Sequence, residues 1–106
     1  MEGTHLRLYT YENRKGHGRL VHEWLLEQAR GLGIAGGSAY RAIAGYGRAG
    51  ELHEMHFYEL AGEQPVLVEF FAPSAAIDRL LAAATDAGLA LFWVRNQADF
   101  GQLPRA

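Results

Sequence analysis

The sequence contains no cysteine, and its 106 residues include only two methionines and three prolines. Disulfides and thiolate metal sites are therefore excluded. No apolar run approaches the roughly 18 residues that a membrane helix needs, so we expect no membrane insertion. The first residues also lack the basic-then-apolar order of a signal peptide, which makes the cytoplasm the expected location.

An excess of charge of either sign is also lacking. The chain has 10 lysines and arginines against 12 acidic residues, which gives a net charge of −2. A protein that binds nucleic acid usually shows a basic excess, so we expect no nucleic-acid partner. Hydrophobic residues make up 49% of the chain. This composition and length are typical of one globular domain, which we expect to span residues 1–106.

The hydrophobic periodicity predicts four strands and two helices in the order βαββαβ. The strands are expected at residues 5–12, 38–44, 66–71 and 89–94, and the helices at 19–32 and 74–87. This order favours a ferredoxin-like α+β sandwich, in which an antiparallel sheet carries both helices on one face. Residues 47–64 are expected to form a long loop, and the polar residues from about 96 onward a loosely ordered tail.

The third and fourth predicted strands carry apolar side chains on both faces. In the third strand, for example, Leu67 and Phe71 alternate with Val66, Val68 and Phe70. Sheets that are covered on both faces typically show this pattern. Because two helices can cover only one face, a second copy of the chain is the simplest cover for the other.

Several segments resemble a PII-like family of unknown function that is related in fold to the PII nitrogen-signalling proteins. They are the run GIAGGSAYRAIAGYG at residues 33–47, the following Leu52-His53 and the opening LRLYTYE. The resemblance covers most of residues 6–94. It implies a ferredoxin-like fold, a homotrimer, and a small effector, typically an adenine nucleotide, bound between subunits. It also implies that the loop at 47–64 acts on a protein partner.

Residue chemistry and the resemblance together predict an effector site. Glycines near the start of the long loop permit close backbone approach to an anion, and an arginine beside them supplies positive charge. PII proteins also cradle phosphates with a glycine- and basic-rich loop after the second helix, whereas the matching turn here, at residues 86–89, has a glycine but no lysine or arginine. The expected effector contacts are Arg41, Gly45, Tyr46, Gly47, Arg48, His53 and Gly88.

Two other interpretations remain open. Residues 45–50 match the G-x-G-x-x-G pattern of dinucleotide-binding enzymes, with Glu69 as the acidic residue that would contact a ribose. His53 and His56 would share one face of a helix and could hold a metal ion there. A third metal ligand and a serine–histidine–acid arrangement are both lacking at recognisable spacing. We therefore expect a binding protein without a metal, rather than an enzyme.

Charges within strands and the remaining histidines have expected structural roles. Arg7, Arg41 and Glu69 lie inside predicted strands, where an unpaired charge is costly, so we expect them to form ion pairs, either between subunits or in the plane of the sheet. Arg41 is also kept as an effector contact. The three histidines without partners at recognisable spacing are expected at the surface, and these are His5, His17 and His22.

Overall fold

The computed structural model describes residues 1–45 and 64–104. Four strands form one antiparallel sheet in the order β4-β5-β1-β6, and two short strands form a separate hairpin, β2-β3. Both helices pack on the same face of the four-stranded sheet. The predicted ferredoxin-like βαββαβ sandwich is therefore confirmed. The elements are β1 (Glu2–Tyr11), β2 (Lys15–Gly16), β3 (Arg19–Leu20), α1 (Val21–Gly31), β4 (Gly37–Arg41), β5 (Pro65–Ala72), α2 (Ser74–Asp86) and β6 (Phe92–Asp99).

The core lies between the helices and one face of the sheet. Strand side chains alternate between the two faces, so every second residue of β1 and β5 points toward the helices. The apolar stripes of α1 and α2 close over these residues. The side chains with the least exposure are Leu6, Leu8, Val68 and Phe70 of the sheet, Val21 and Leu25 of α1, and Ile77 and Leu80 of α2.

A glycine in the left-handed region follows the end of each helix. Gly33 has φ 83°, and the N–H of the next residue, Ile34, donates to the Ala29 carbonyl at 3.0 Å. Gly88 has φ 74°, and the N–H of Leu89 donates to the Ala84 carbonyl at 3.1 Å. These bonds satisfy carbonyls that the last helical turn leaves without partners.

The second predicted strand is shorter than expected. It begins at Gly37, where a side chain would collide with the ring of Phe70, so a glycine permits β4 to pair closely with β5. It ends at Arg41, not at residue 44. The N–H of Ala42 still donates to the Pro65 carbonyl at 2.8 Å, but no residue of β5 precedes Pro65 to extend the pairing.

The last strand also differs from its expected position. It begins three residues later, at Phe92, and continues through Asp99, where we expected a loosely ordered tail. Its partner, β1, begins at Glu2 and supplies backbone hydrogen bonds along that whole length. Residues 96–99 show little apolar alternation, so backbone pairing, which periodicity does not reveal, extends the strand.

The segment between β1 and α1 forms the small hairpin β2-β3. Its two central residues, His17 and Gly18, have φ 57° and 75°, as a tight two-residue hairpin turn requires. The Nε2–H of His17 donates to the carbonyl of Ala87 at 2.7 Å, which holds the hairpin against the end of α2. His17 is exposed, as expected, and it also has a structural partner 70 residues away in the sequence.

Within the described ranges, neither helix combines the length and the apolar character needed to span a bilayer.

Candidate functional site

One face of the four-stranded sheet has no covering element among the described residues. We call it the open face. Residues that pair across strands share a face, so the register identifies its members. They are His5, Arg7 and Tyr9 of β1, Ser38 and Tyr40 of β4, Leu67, Glu69 and Phe71 of β5, and Phe92, Val94 and Asn96 of β6.

Large apolar and aromatic side chains on the open face remain accessible. Tyr9 is 37% exposed, Tyr40 51%, Phe71 41% and Phe92 46%. The rings of Tyr9 and Phe92 contact each other, with centroids 5.6 Å apart. Accessible apolar side chains gathered on one surface typically mark an interaction surface.

A polar band crosses the open face between these apolar side chains. The Nε2–H of His5 donates to Oε2 of Glu69 at 3.0 Å, and the His5 ring stacks on Phe71 with centroids 4.3 Å apart. Arg7 donates from Nη2 to Oδ1 of Asn96 at 3.4 Å. The ion pair expected for Glu69 thus forms with His5 when the imidazole is protonated, and Arg7 contacts an amide rather than a carboxylate.

Two of the histidines expected at the surface are only partly exposed. His5 is only about one-fifth exposed and is held by both Glu69 and Phe71. His22, in the first turn of α1, has an enclosed Nδ1 to which no described residue forms a hydrogen bond. Sequence spacing could not identify the His5 contacts, because 64 residues separate His5 from Glu69. The alternation of β1 nevertheless places His5, Arg7 and Tyr9 together on one face.

Arg41, at the end of β4, forms the ion pair expected for a charge within a strand. Its Nε donates to Oε2 of Glu12 at 3.1 Å, and its Nη2 contacts Oε1 of the same carboxylate. Gly45 lies near Pro65, which begins β5. Arg41 and Gly45 therefore lie near the place where the predicted loop leaves the sheet and later rejoins it. The other predicted contacts in this region, Tyr46, Gly47, Arg48 and His53, lie outside the described residues, as does His56.

Arg41 and Gly88 lie at the same end of the sheet but beside opposite edges. Arg41 pairs with Val66 on edge strand β4, while Gly88 precedes the opposite edge strand, β6, whose first residue Phe92 pairs with Tyr9. Three strand spacings separate the two edges, about 14 Å. One chain therefore does not bring the two predicted contacts together.

Gly88 has a conformational role that can be measured. A Cβ at this position would meet no heavy atom within 4 Å, so only the positive φ of 74° opposes a side chain. We expect Gly88→Ala to lower the free energy of unfolding by about 1–2 kcal/mol. Gly88→Asn should cost less, because asparagine tolerates this region better. Chemical denaturation of the three proteins tests this, and equal stability of all three would contradict it.

Among the described residues, no group of three histidine, aspartate or glutamate side chains is placed to hold a metal ion. The metal interpretation depends on His53 and His56, outside those residues. Glu69, the acidic residue of the dinucleotide interpretation, lies in the interior of β5 and accepts a hydrogen bond from His5.

The βαββαβ order, the strand order and the single helical layer define an α+β protein with a PII-like, ferredoxin-like fold. The chain belongs to the DUF190 family, described as an uncharacterized ACR, whose model matches residues 3–91. A UPF0166 protein of Aquifex aeolicus is 36% identical over 76 residues, 72% of each chain. A UPF0166 protein of Methanocaldococcus jannaschii is 30% identical over 76 residues, 72% of this chain and 69% of that protein.

The fold is also similar to that of CPII, a nitrogen regulatory PII-like protein from Thiomonas intermedia K12. That structure contains ADP, AMP and bicarbonate. The TM-score is 0.70 at 13% identity, covering 96% of this chain and 91% of CPII. At this identity the likeness establishes a shared fold, and the resemblance to PII-like proteins noted in the sequence is confirmed at that level.

Proposed function

We propose that this chain is a homotrimeric regulatory protein, without enzymatic activity, that binds a small effector between subunits in the cytoplasm. The observation that carries this proposal is the open face, where Tyr9, Tyr40, Phe71 and Phe92 are accessible, whereas the opposite face of the sheet carries the hydrophobic core. A face of this kind is rarely left to water in an isolated domain. Copies of the chain that pack through it would bury these side chains.

The position of the predicted contacts favours an effector between subunits. Arg41 and Gly88 lie beside opposite edges of one sheet, so a single chain cannot close a small ligand between them. In a closed oligomer, one edge of a subunit approaches a neighbour, and residues from two chains could then line one cleft. The Arg41 guanidinium would release Glu12 and bind the anionic part of the effector instead.

Adenine nucleotides are the first effectors to test. CPII shares the fold and its structure is bound to ADP, AMP and bicarbonate, although its low identity transfers no binding residue to this chain. The effector's phosphates would require positive charge, which Arg41 and Arg48 would supply. Binding of the effector would be communicated to a protein partner through the loop at 47–64.

Mass measurement and calorimetry test the trimer and the effector separately. Light scattering coupled to gel filtration should give three times the chain mass of 11.7 kDa. Titration with ADP and AMP should give saturable heat, and Arg41→Ala should weaken binding by at least about 10-fold. Arg79→Ala is the matched control, since Arg79 is exposed on α2. A monomer would contradict the proposed assembly, and unchanged affinity for Arg41→Ala would exclude this residue as a contact.

The same preparation discriminates between a regulator and an enzyme or metal protein. Native mass spectrometry of protein purified without added ligand should show a trimer without bound metal. Incubation with nucleotides or nicotinamide cofactors should leave them chemically unchanged. Turnover of any of these, or a stoichiometric metal lost on His53→Ala, would replace the regulatory proposal by the corresponding alternative.

A further inference from the structure

Arg7 lies near the centre of the open face with its guanidinium incompletely paired. Along the register, its neighbours are Glu69 on β5 and Val94 on β6. Its hydrogen bond to Asn96 is long, at 3.4 Å, and its enclosed Nε has no acceptor in residues 1–45 and 64–104. A guanidinium most often meets a carboxylate through Nε and one Nη together. Within the described residues, this arginine has no such carboxylate.

Glu69 is the complementary group on the same surface. Among the described residues it is the one carboxylate on the open face, and its side chain is 21% exposed. Oε2 accepts from His5 at 3.0 Å, whereas no described residue donates to Oε1. A carboxylate can accept several hydrogen bonds, so Glu69 retains capacity for another donor. The two charged side chains are direct cross-strand neighbours, yet they form no ion pair within the chain.

We propose that Arg7 of one copy donates to Glu69 of a second copy across the open face. This inference rests on the proposed oligomer and adds the residue pair that joins its subunits. Each copy presents one arginine and one glutamate there, so every chain can donate to one neighbour and accept from another. The Arg7 guanidinium turns outward from the sheet to make this contact, which also releases its Nε from enclosure.

The surroundings of the pair favour a specific contact. Phe71, Tyr9 and Phe92 flank the polar band, and their burial between copies would exclude water from it. Charge-assisted hydrogen bonds are stronger when solvent is excluded, and an arginine or glutamate left alone there would oppose association. His5 would hold the carboxylate in position from within its own chain. Arg7 and Glu69 therefore select the register in which the apolar side chains meet.

Two charge reversals test the pair. Arg7→Glu and Glu69→Arg should each raise the dissociation constant of the oligomer by at least about 100-fold, measured by sedimentation velocity across a concentration series. Mixing the two variants in equal amounts should restore part of the assembly as hetero-oligomers, detected by native mass spectrometry. The Arg7→Glu chain carries glutamate at both positions, and the Glu69→Arg chain carries arginine at both. A contact between unlike chains therefore joins opposite charges, and a mixed trimer has two such contacts out of three.

The mixing step separates a contact between copies from one within a chain. The double variant Arg7→Glu/Glu69→Arg should recover assembly by itself under either arrangement. Recovery in the double variant but not in the mixture would place the pair within one chain and overturn the proposal. Arg79→Glu reverses an exposed charge on α2 and should leave assembly unchanged. Far-UV circular dichroism of each variant verifies that the chain is folded.

The outcomes distinguish this inference from the proposed function. A monomeric wild-type protein contradicts the oligomer itself. If the wild type is an oligomer and neither charge reversal changes its dissociation constant, the Arg7–Glu69 contact is contradicted but the proposed oligomer is not. If a reversed chain does not fold, the neutral variants Arg7→Gln and Glu69→Gln form a double-mutant cycle on the same dissociation constant. Coupling of at least about 5-fold supports the contact, and additive effects overturn it.

Discussion

Replacement of Phe70 by alanine is expected to lower the free energy of unfolding by about 3–5 kcal/mol. Phe70 is 1% exposed, lies on central strand β5 and fills the space above Gly37. Its removal loses the transfer free energy of an aromatic ring and leaves a cavity between the sheet and the helices. The neighbouring elements can collapse only in part, because Leu6 and Gly37 are fixed by backbone pairing with β5. Urea denaturation measured at one protein concentration gives the difference.

Phe71→Ala is the matched control for this prediction. It removes the same side chain from the next position of β5, but Phe71 faces the open side and is 41% exposed. Under conditions that keep the protein monomeric, we expect Phe71→Ala to cost clearly less than Phe70→Ala, because the Phe71 ring is already partly in water and its ring contacts among the described residues are those with His5 and Phe100. Similar losses for the two variants would contradict the assignment of the two sheet faces.

Replacement of Leu67 by aspartate is expected to prevent self-association. Leu67 lies on the open face of β5, paired with Tyr9 on one side and Tyr40 on the other. In the proposed trimer its position is covered by another copy, where a carboxylate without a partner costs several kcal/mol. The dissociation constant should rise by at least about 100-fold. Light scattering at several protein concentrations should therefore show a monomer for Leu67→Asp where the wild type is a trimer.

Ile43→Asp is the control for the interface. Ile43 is 92% exposed and lies beyond the end of β4, outside the paired sheet. The same change from an aliphatic side chain to a carboxylate should leave the trimer intact at this position. A trimer that persists in Leu67→Asp, or one that dissociates equally in Ile43→Asp, would mean that the open face does not join the copies.

The sequence predicts the order of the elements and the faces of the central strands. Leu6, Leu8 and Thr10 alternate with Arg7 and Tyr9 along β1, and the buried and accessible residues follow that alternation. The glycines after the two helices can also be identified from the sequence, since a backbone with positive φ favours glycine wherever it occurs. These features depend on residues within a few positions of each other, so local patterns reveal them.

The partners of the charged and imidazole side chains were decided by the tertiary structure. Glu69 contacts His5, Arg41 contacts Glu12, and His17 donates to Ala87, pairs that lie 64, 29 and 70 residues apart. Local periodicity places each of these residues on an element or in a turn. Only the register between strands, and the packing of the hairpin on α2, determines which of them meet.

The extent of the outer strands also depended on pairing. β6 extends through Asp99 because β1 supplies backbone partners from Glu2 onward, whereas β4 ends at Arg41 because β5 begins at Pro65. Backbone hydrogen bonds stabilise such strand ends whatever side chains they carry, so hydrophobic alternation does not mark them. The sequence by itself thus determined which fold forms and which faces are apolar. The tertiary structure decided where each strand ends and that Arg7 and Glu69 share the open face, because both follow from backbone pairing between distant segments.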